Sequence, residues 1–207
     1  MMKNPFEILK TFFLRGIAFF VYILYTWYGS TLKITSVNNE FSPERLALGE
    51  NAIYAFWHSK TFSLLQHCRE AQMGVLTLLD WKNIIYDKVC RLYGCQTIPV
   101  TSFQKATVKL KRLLEKGWPV GLALDGPRGP AGVVKPGVFF LAKITGKPIV
   151  AVNVRALKSF RLRWRWDQYE IPFPFSEVLI SLSKPFQIHE TDERINAQRI
   201  EPFLKDL

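Results

Sequence analysis

The chain has 207 residues, which suits one domain with a full hydrophobic core and is short for two. Hydrophobic residues make up 48% of it and charged residues 22%, a balance that excludes an intrinsically disordered chain and a coiled coil. Lys and Arg number 28 against 17 Asp and Glu, so the formal net charge is +11. Such a charge indicates an anionic partner: a phospholipid surface, an acidic carrier protein, a phosphorylated substrate or nucleic acid.

Residues 12–28 form an almost wholly apolar segment, FFLRGIAFFVYILYTWY. Its 17 residues are at the lower edge of the roughly 20 that a membrane-spanning helix needs. Lys10 and Arg15 lie near one end, and aromatic residues lie towards the other. This arrangement is typical of a helix in the membrane interface, so we interpret residues 1–29 as a membrane-associating helix and residues 30–207 as the domain. The alternative is a hydrophobic helix docked on the domain's own core.

The rest of the chain alternates short apolar runs with amphipathic stretches. The apolar or β-branched runs predict strands at 31–37, 52–57, 74–79, 96–100, 118–124, 148–154 and 178–182. Stretches with helical spacing of apolar residues predict helices at 42–48, 61–69, 82–93, 105–116, 137–145 and 190–207. Strands that alternate with such helices imply crossover connections. We therefore predict a single α/β domain with a mostly parallel central sheet covered by helices.

The segment after the strand at 148–154 breaks this alternation. A basic residue alternates with an apolar or aromatic one through Arg161, Leu162, Arg163, Trp164, Arg165 and Trp166. This spacing predicts an extended stretch that is basic on one face and aromatic on the other. Residues 171–175, with two prolines, predict an irregular extended crossing. Together with the N-terminal helix, the Arg/Trp stretch predicts a surface that meets anionic lipid with cations and inserts aromatic rings.

The three cysteines, Cys68, Cys90 and Cys95, are odd in number and form no C-x-x-C pair. They predict reduced, mostly buried thiols in a cytoplasmic protein. Cys90 and Cys95 with His67 match no zinc-ligand spacing. We therefore predict no metal and no cofactor.

Two of the predicted strands end directly before a polar side chain. His58 follows one buried strand and Asp125 follows another. Functional groups in such sheets collect just beyond the carboxyl ends of the strands, so His58 and Asp125 are the candidate catalytic residues. A neutral histidine also suits proton transfer near pH 7. The other two histidines, His67 and His189, are interpreted as surface or packing residues.

The loop at 125–137 is rich in glycine and proline, and it contains DGPRGP followed by VVKPG. Arg128 and Lys135 precede a predicted helix whose N-terminus already favours an anion. An arginine can bind phosphate through two parallel hydrogen bonds. The loop lacks the residue order of a Walker loop. We predict substrate binding by Gly126, Arg128 and Lys135, with Lys60 as a further basic residue; the alternative is a surface turn with solvated charges.

Five motifs occur in an order that matches a known family: WH at 57–58, DGPRGP at 125–130, VVKPG at 133–137, GKPIVAV at 146–152 and WDQYEIPFPFS at 166–176. The chain resembles the lysophospholipid acyltransferase superfamily, and within it the small branch long known as a domain of unknown function. Some members of that branch are secondary acyltransferases of lipid A assembly. The resemblance covers roughly residues 30–186 and is most specific at DGPRGP.

The resemblance implies roles for individual residues. The active-site histidine of the family, which is its general base, falls on His58. Its acidic-Gly-x-Arg block, which contacts the phosphate of the acceptor, falls on Asp125, Gly126 and Arg128.

The chain departs from the wider superfamily at one position. In that superfamily, four residues separate the histidine from an Asp or Glu, and the carboxylate of this residue orients the imidazole. Ser63 stands at the corresponding position here. Either Ser63 orients the ring more weakly, or a carboxylate arrives from elsewhere, with Asp125 and Asp80 as the candidates.

The resemblance implies an enzyme that moves a fatty acyl chain from an acyl thioester to a hydroxyl of a phosphorylated lipid, with a lipid A precursor as a candidate, and the candidate histidine and anion-binding loop agree with it. The donor is carried by acyl carrier protein or coenzyme A, and the basic helix at 105–116 favours the acidic carrier protein. The expected location is the cytoplasmic face of the inner membrane, as a peripheral or monotopic protein without a nucleic-acid partner.

Two alternatives stay open at this point. A non-catalytic membrane-surface protein of the same fold is favoured by the missing carboxylate at Ser63. A basic nucleic-acid-binding module would account for the net charge, but it leaves residues 12–28 and the DGPRGP motif without a role.

Overall fold

The computed structural model describes residues 5–42, 51–67, 72–78, 83–188 and 193–204. The predicted helix at 42–48, apart from its first residue, lies outside the described residues, as do Cys68, Asp80 and His189.

The helices within these ranges are α1 (Pro5–Ser30), α2 (Thr61–His67), α3 (Asn83–Leu92), α4 (Phe103–Glu115), α5 (Gly137–Thr145) and α6 (Glu193–Leu204). The strands are β1 (Lys33–Val37), β2 (Ile53–Phe56), β3 (Gly74–Leu78), β4 (Gln96–Val100), β5 (Val120–Ala123), β6 (Ile149–Ala156), β7 (Ser159–Arg161), β8 (Glu170–Pro172) and β9 (Glu177–Leu182). Short 3-10 turns lie at Asn39–Phe41 and His58–Lys60. All seven predicted strands are confirmed, and their ends differ from the prediction by at most two residues.

The main sheet has the strand order β1-β9-β6-β2-β5-β3-β4 in the described part of the chain. The strands from β6 to β4 run parallel to one another, which confirms the mostly parallel sheet. β9 is antiparallel to β6, and β1 is parallel to β9, so these two strands run the opposite way. β9 follows β6 without a crossover helix, and a chain that returns in this manner pairs antiparallel.

Helices cover both faces of this sheet. Ile53 and Ala55 of β2 pack in a buried cluster with residues of α4, α5 and α6, whereas Tyr54 packs on the opposite side with Leu64 of α2. Successive side chains of a strand point to opposite faces, so a strand that is apolar at every position must be covered twice. Burial of each such side chain contributes roughly 1.5–3 kcal/mol, and the two layers hold the strand ends in place.

One side of α1 packs on the domain. Tyr22 contacts Tyr93 edge-to-face with ring centroids 5.1 Å apart, and Tyr25 contacts Phe62 at 4.6 Å. The Tyr28 hydroxyl donates a hydrogen bond to the carbonyl of Pro172 at 2.7 Å. The helix is therefore docked on the core along this side, as the alternative interpretation proposed.

The other side of α1 is apolar and exposed. The exposed large apolar residues of α1 are Phe13, Phe19, Phe20, Ile23, Leu24 and Trp27. Within the described residues, no helix combines the length and the apolarity that a membrane crossing requires.

Residues 157–176 form a separate antiparallel hairpin, called the hairpin below, in which β7 pairs with β8. The tip turns through residues 162–168, and the backbone N–H of Leu162 donates to the carbonyl of Tyr169 at 2.9 Å. The predicted extended stretch from Arg161 to Trp166 is therefore wrong beyond its first residue. Pairing across the hairpin requires the chain to reverse there, and the Arg/Trp alternation lies mostly in the turn.

Candidate active site

His58 and Asp125 lie at the carboxyl ends of two neighbouring parallel strands, β2 and β5. The hydrogen bonding between β2 and β5 extends to the residue that follows β5, because the backbone N–H of Leu124 donates to the carbonyl of Phe56 at 2.8 Å. The backbone N–H of His58 then donates to Oδ1 of Asp125 at 2.9 Å. The structure therefore brings these two predicted residues into direct contact.

The contact involves the backbone of His58 and not its ring. Asp125 is buried, and its second oxygen, Oδ2, accepts the backbone N–H of Gly132 at 3.2 Å. The carboxylate thus ties the strand end to the far side of its own glycine-rich loop. In this arrangement Asp125 is a positioning residue for both segments.

The imidazole of His58 is held by Asp167. Its Nδ1 lies 2.7 Å from Oδ2 of Asp167, whose side chain is 0% exposed. Arg165 donates to both oxygens of the same carboxylate, from Nε to Oδ1 and from Nη2 to Oδ2, each at 2.9 Å. The backbone N–H of Tyr169 adds a fourth hydrogen bond at 3.3 Å.

These contacts keep Asp167 negatively charged. Burial by itself raises the pKa of Asp167, but the hydrogen bonds and charges of Arg165 and His58 outweigh it and hold that pKa below its ordinary value. An ionised carboxylate only accepts hydrogen bonds, so Nδ1 of His58 must carry the proton. The basic lone pair then lies on Nε2, the nitrogen on the opposite side of the ring.

The residue that orients His58 is therefore one that the sequence interpretation missed. Ser63 is buried in α2, Asp125 binds the backbone, and Asp80 lies outside the described residues. Asp167 is 109 positions away from His58 along the chain, so no local spacing rule could find it. The available signal was its place in the WDQYE motif, which carried the resemblance but received no role.

Lys60, predicted to bind substrate, is buried in an ion pair. Its Nζ lies 3.1 Å from Oε2 of Glu170 on β8, and both side chains are nearly inaccessible to solvent. Arg161 on β7 donates from Nε to the same oxygen at 3.1 Å. Lys60 thereby joins the segment after β2 to the hairpin that carries Asp167. This geometry gives Lys60 a part in positioning the hairpin, and its predicted contact with substrate stays a prediction.

The glycine-rich loop packs closely against the histidine and the hairpin. A Cβ atom on Gly126 would lie 3.4 Å from Cδ2 of His58 and 3.2 Å from the Cβ of Ala123. Gly129 has a φ of +69°, and a Cβ there would lie 2.6 Å from Cε3 of Trp166. Position 129 therefore requires glycine, because a side chain there would be strained and would displace Trp166, whereas a Cβ at 126 would only crowd Ala123.

The two predicted anion-binding cations lie on this loop. Arg128 is exposed at its turn, and Lys135 is half-buried just before α5. The backbone N–H of Lys135 donates to the carbonyl of Leu124 at 2.9 Å, which anchors the end of the loop beside β5. Both cations are thus carried by the segment that begins against the His58 ring.

An apolar cavity of about 180 Å³ runs from His58 and Gly126 into the domain. It lies between the sheet and the α2–α3 layer, and its walls include Leu64, Leu65, Met73, Val75, Tyr86, Cys90, Ile180 and Leu182. Such a cavity suits a long apolar group with a polar reacting end.

The cavity contains thiols that are chemically inert. Burial is the main cause that raises the pKa of Cys90 to about 12 and that of Cys95 to about 11. Both thiols therefore stay protonated near neutral pH and are poor nucleophiles. Within the described residues, no group of His, Cys, Asp and Glu is placed to hold a metal ion.

Comparisons with known proteins agree with this architecture. No family model matches the chain. An uncharacterised protein of Rickettsia prowazekii (strain Madrid E) is 26% identical over 192 residues, which cover 90% of this chain and 86% of that protein. The crystal structure of the 1-acyl-sn-glycerophosphate acyltransferase PlsC from Thermotoga maritima superposes with a TM-score of 0.59 over 99% of this chain and 82% of that chain, at 18% identity. The chain therefore has the acyltransferase fold, which confirms the fold that the resemblance implied.

Proposed function

We propose that this protein transfers a fatty acyl chain from an acyl thioester to a hydroxyl group of a lipid, with His58 as the general base. One observation carries the proposal: an imidazole oriented by a buried carboxylate stands at the mouth of an apolar cavity. The acyltransferase fold and the motifs at 125–130 and 166–176 support it.

The reaction follows from the tautomer of His58. Nε2 takes the proton of the acceptor hydroxyl as the hydroxyl oxygen attacks the thioester carbonyl carbon. The tetrahedral oxyanion then collapses, the carbon–sulfur bond breaks, and the imidazolium returns the proton to the leaving thiolate. Asp167 stabilises the imidazolium between these two steps. The products are a lipid ester and a free thiol, and no covalent enzyme intermediate is needed.

The apolar cavity is the proposed site of the acyl chain. It begins at His58 and Gly126, so a chain inside it holds the thioester carbonyl near Nε2. Its lining is mostly aliphatic, aromatic or sulfur-containing, which favours hydrocarbon over a polar substituent. Met73 and Gly121 lie along its wall and limit the space for the chain.

The glycine-rich loop is the proposed site of the acceptor's phosphate. Arg128 is exposed there and offers a planar guanidinium, while Lys135 adds a second positive charge. The acceptor is therefore a phosphorylated lipid. A glycerophospholipid precursor is supported by the name of the Thermotoga maritima neighbour, and a lipid A precursor by the branch that the motifs resemble.

The proposed location is the cytoplasmic face of the inner membrane, where a lipid acceptor and a cytoplasmic thioester meet. The exposed apolar side of α1 supports contact with the membrane surface. Acyl carrier protein or coenzyme A is the proposed donor carrier. The exposed basic residues of α4, Lys105, Lys109 and Arg112, favour the acidic carrier protein.

The test replaces the base. We expect His58→Asn to lower turnover on the order of 10²- to 10⁴-fold with lysophosphatidate or a lipid A precursor as acceptor, because Asn cannot take the proton. The thermal unfolding midpoint checks that the variant is folded, and His189→Asn is the matched control. Near-normal turnover in a folded His58→Asn protein contradicts the mechanism, whereas a wild-type protein without turnover on any of these acceptors favours a non-catalytic protein of this fold.

A further inference from the structure

The hairpin carries the charged residues that complete the site on its buried side. Asp167 holds the His58 ring, and Glu170 holds Lys60. The Tyr28 hydroxyl of α1 also donates to Pro172 of β8. The hairpin has no strand in the main sheet, so these side-chain contacts and those of its ends seat it on the domain.

The solvent-exposed side of the hairpin carries several large apolar side chains. Trp164 and Phe175 are each 76% exposed, and Leu157, Phe160 and Phe173 are exposed as well. The rings of Phe160 and Trp164 lie 6.3 Å apart and line a shallow groove with Arg163. Clustered aromatic residues of this size in water mark an interaction surface.

Phe175 is also held in an uncommon backbone conformation. Its φ is +64°, which a bulky side chain seldom adopts. The neighbouring Ser176 accepts the backbone N–H of Lys158 at 3.0 Å through its hydroxyl and so joins the two ends of the hairpin. This junction projects Phe175 into solvent, although folding alone gains nothing from exposing the ring.

The chemistry of this surface fits an anionic lipid surface. Arg163 and Lys158 are exposed cations among the aromatic side chains, and the chain has a net charge of +11. Tryptophan settles at headgroup depth, and arginine and lysine meet anionic headgroups. A soluble phosphate compound would be bound by the cations alone and would leave the rings in water. The hydrogen bond between Tyr28 and Pro172 also joins the hairpin to the C-terminal end of α1, where Trp27 is exposed.

We propose that the exposed side of the hairpin binds an anionic lipid surface, and that this binding holds Asp167 against His58. The second part rests on the proposed acyl transfer; the first part does not. Lipid that binds more tightly to the conformation in which Asp167 contacts His58 increases the population of that conformation. His58 is then oriented mainly in enzyme molecules that are bound to the lipid surface, where the acceptor lies.

The first experiment measures vesicle binding of the full chain by sedimentation. Vesicles contain phosphatidylcholine either alone or with phosphatidylglycerol. We expect Arg163→Glu to weaken binding to the anionic vesicles by at least about fivefold, given the usual contribution of one basic contact. The matched control is Lys109→Glu on α4, an exposed residue far from the hairpin in sequence.

The aromatic contribution needs its own variant. We expect the double variant Trp164→Ser, Phe175→Asn to weaken anionic-vesicle binding by at least about tenfold, because two interfacial rings are lost. Asn tolerates a positive φ, so the backbone at 175 is preserved. The control Phe103→Ser, Val108→Asn removes two exposed apolar side chains of α4. Hairpin variants that bind vesicles as well as their controls overturn the docking surface, and so does wild type that binds neither vesicle type.

The coupling is measured by hydrogen exchange on the wild-type chain. We expect anionic vesicles to slow exchange several-fold at the amides of Tyr169 and Leu162, which hold the hairpin tip. The double variant should show no such slowing. Equal protection with and without vesicles overturns the coupling. None of these readouts involves turnover, so a failure of the proposed acyl transfer is seen separately, as wild type that is inactive on every acceptor.

Discussion

The two halves of the His58–Asp167 pair come from regions of different construction. His58 is placed by the edge of a sheet, where β2 is hydrogen-bonded on both sides and covered by helices on both faces. Asp167 is placed by the hairpin, whose strands β7 and β8 pair with each other and which meets the domain through ion pairs and hydrogen bonds. The position of His58 therefore depends on the core, while the position of Asp167 depends on a small set of polar contacts. Substitutions in the hairpin should change catalysis at a modest cost to the fold, whereas the sheet edge cannot change without the core.

The substitution that tests this comparison most directly is Asp167→Asn. We expect turnover to fall on the order of 10²- to 10³-fold, because Asn no longer favours the Nδ1–H tautomer or stabilises the imidazolium. Asp87→Asn is the matched control, since Asp87 is an ion-paired aspartate on α3. Steady-state kinetics measure both. An Asp167→Asn enzyme with wild-type kcat shows that the carboxylate only packs the hairpin.

The Asp167→Asn substitution should also change how the free energy of unfolding depends on pH. Because the folded pKa of Asp167 is lowered, its contribution to stability is present above the ordinary carboxyl pKa of about 4 and is lost as the pH falls towards the lowered value. Wild type should therefore lose more stability than Asp167→Asn between about pH 4 and pH 2. Denaturant unfolding across this range measures the difference, and parallel curves would count against the ionised pair.

The next largest effect concerns the Lys60–Glu170 ion pair, which holds the hairpin on the domain. Lys60→Met should lower the free energy of unfolding by about 1–3 kcal/mol, because Glu170 stays buried and, among the described residues, keeps Arg161 as its remaining ion-pair partner. Lys111→Met removes an exposed pair with Glu115 and should cost no more than about 0.5 kcal/mol. Adding Glu170→Gln to Lys60→Met should recover part of the loss. Equal stability of the Lys60→Met and Lys111→Met proteins contradicts the seating role.

A change inside the sheet tests the apolar cavity. A Cβ on Gly121 would lie 2.6 Å from Sδ of Met73, so Gly121→Ala should push Met73 into the cavity. We expect the preference to shift towards shorter acyl chains by about tenfold in kcat/KM, since one or two methylene groups change binding by that order. Gly74→Ala is the control, because its Cβ would meet Leu113 away from the cavity wall. An unchanged chain-length profile in Gly121→Ala places the acyl chain elsewhere.

The smallest expected effect lies on the exposed loop. Arg128→Lys keeps the charge but loses the two-point hydrogen bonding, so KM for a phosphorylated acceptor should rise by about three- to tenfold with little change in kcat. Arg128→Ala should raise it further. Acceptors with and without the phosphate distinguish binding from a general effect on the loop. A KM that Arg128→Ala leaves unchanged removes Arg128 from the acceptor site.

Much of the fold follows from the chain itself. The strands were predictable because runs such as the one through Ile53 and Tyr54 are apolar at every position, which suits a strand covered on both faces. Parallel strands end at the same edge of a sheet, so the proximity of His58 and Asp125 followed as well. The direction of β1 and β9 did not, because neither strand records in its own residues which neighbour it pairs with.

The amino-acid sequence by itself thus determined the layers, the strand ends and the position of His58, all of which depend on local patterns of apolar residues. Only the tertiary structure decided that Asp167 orients His58, that Asp125 binds backbone, and that Lys60 is paired with Glu170. Each of these contacts joins residues more than sixty positions apart in the chain. A carboxylate's role is set by the donors that surround it after folding, and the folded hairpin brings those donors together.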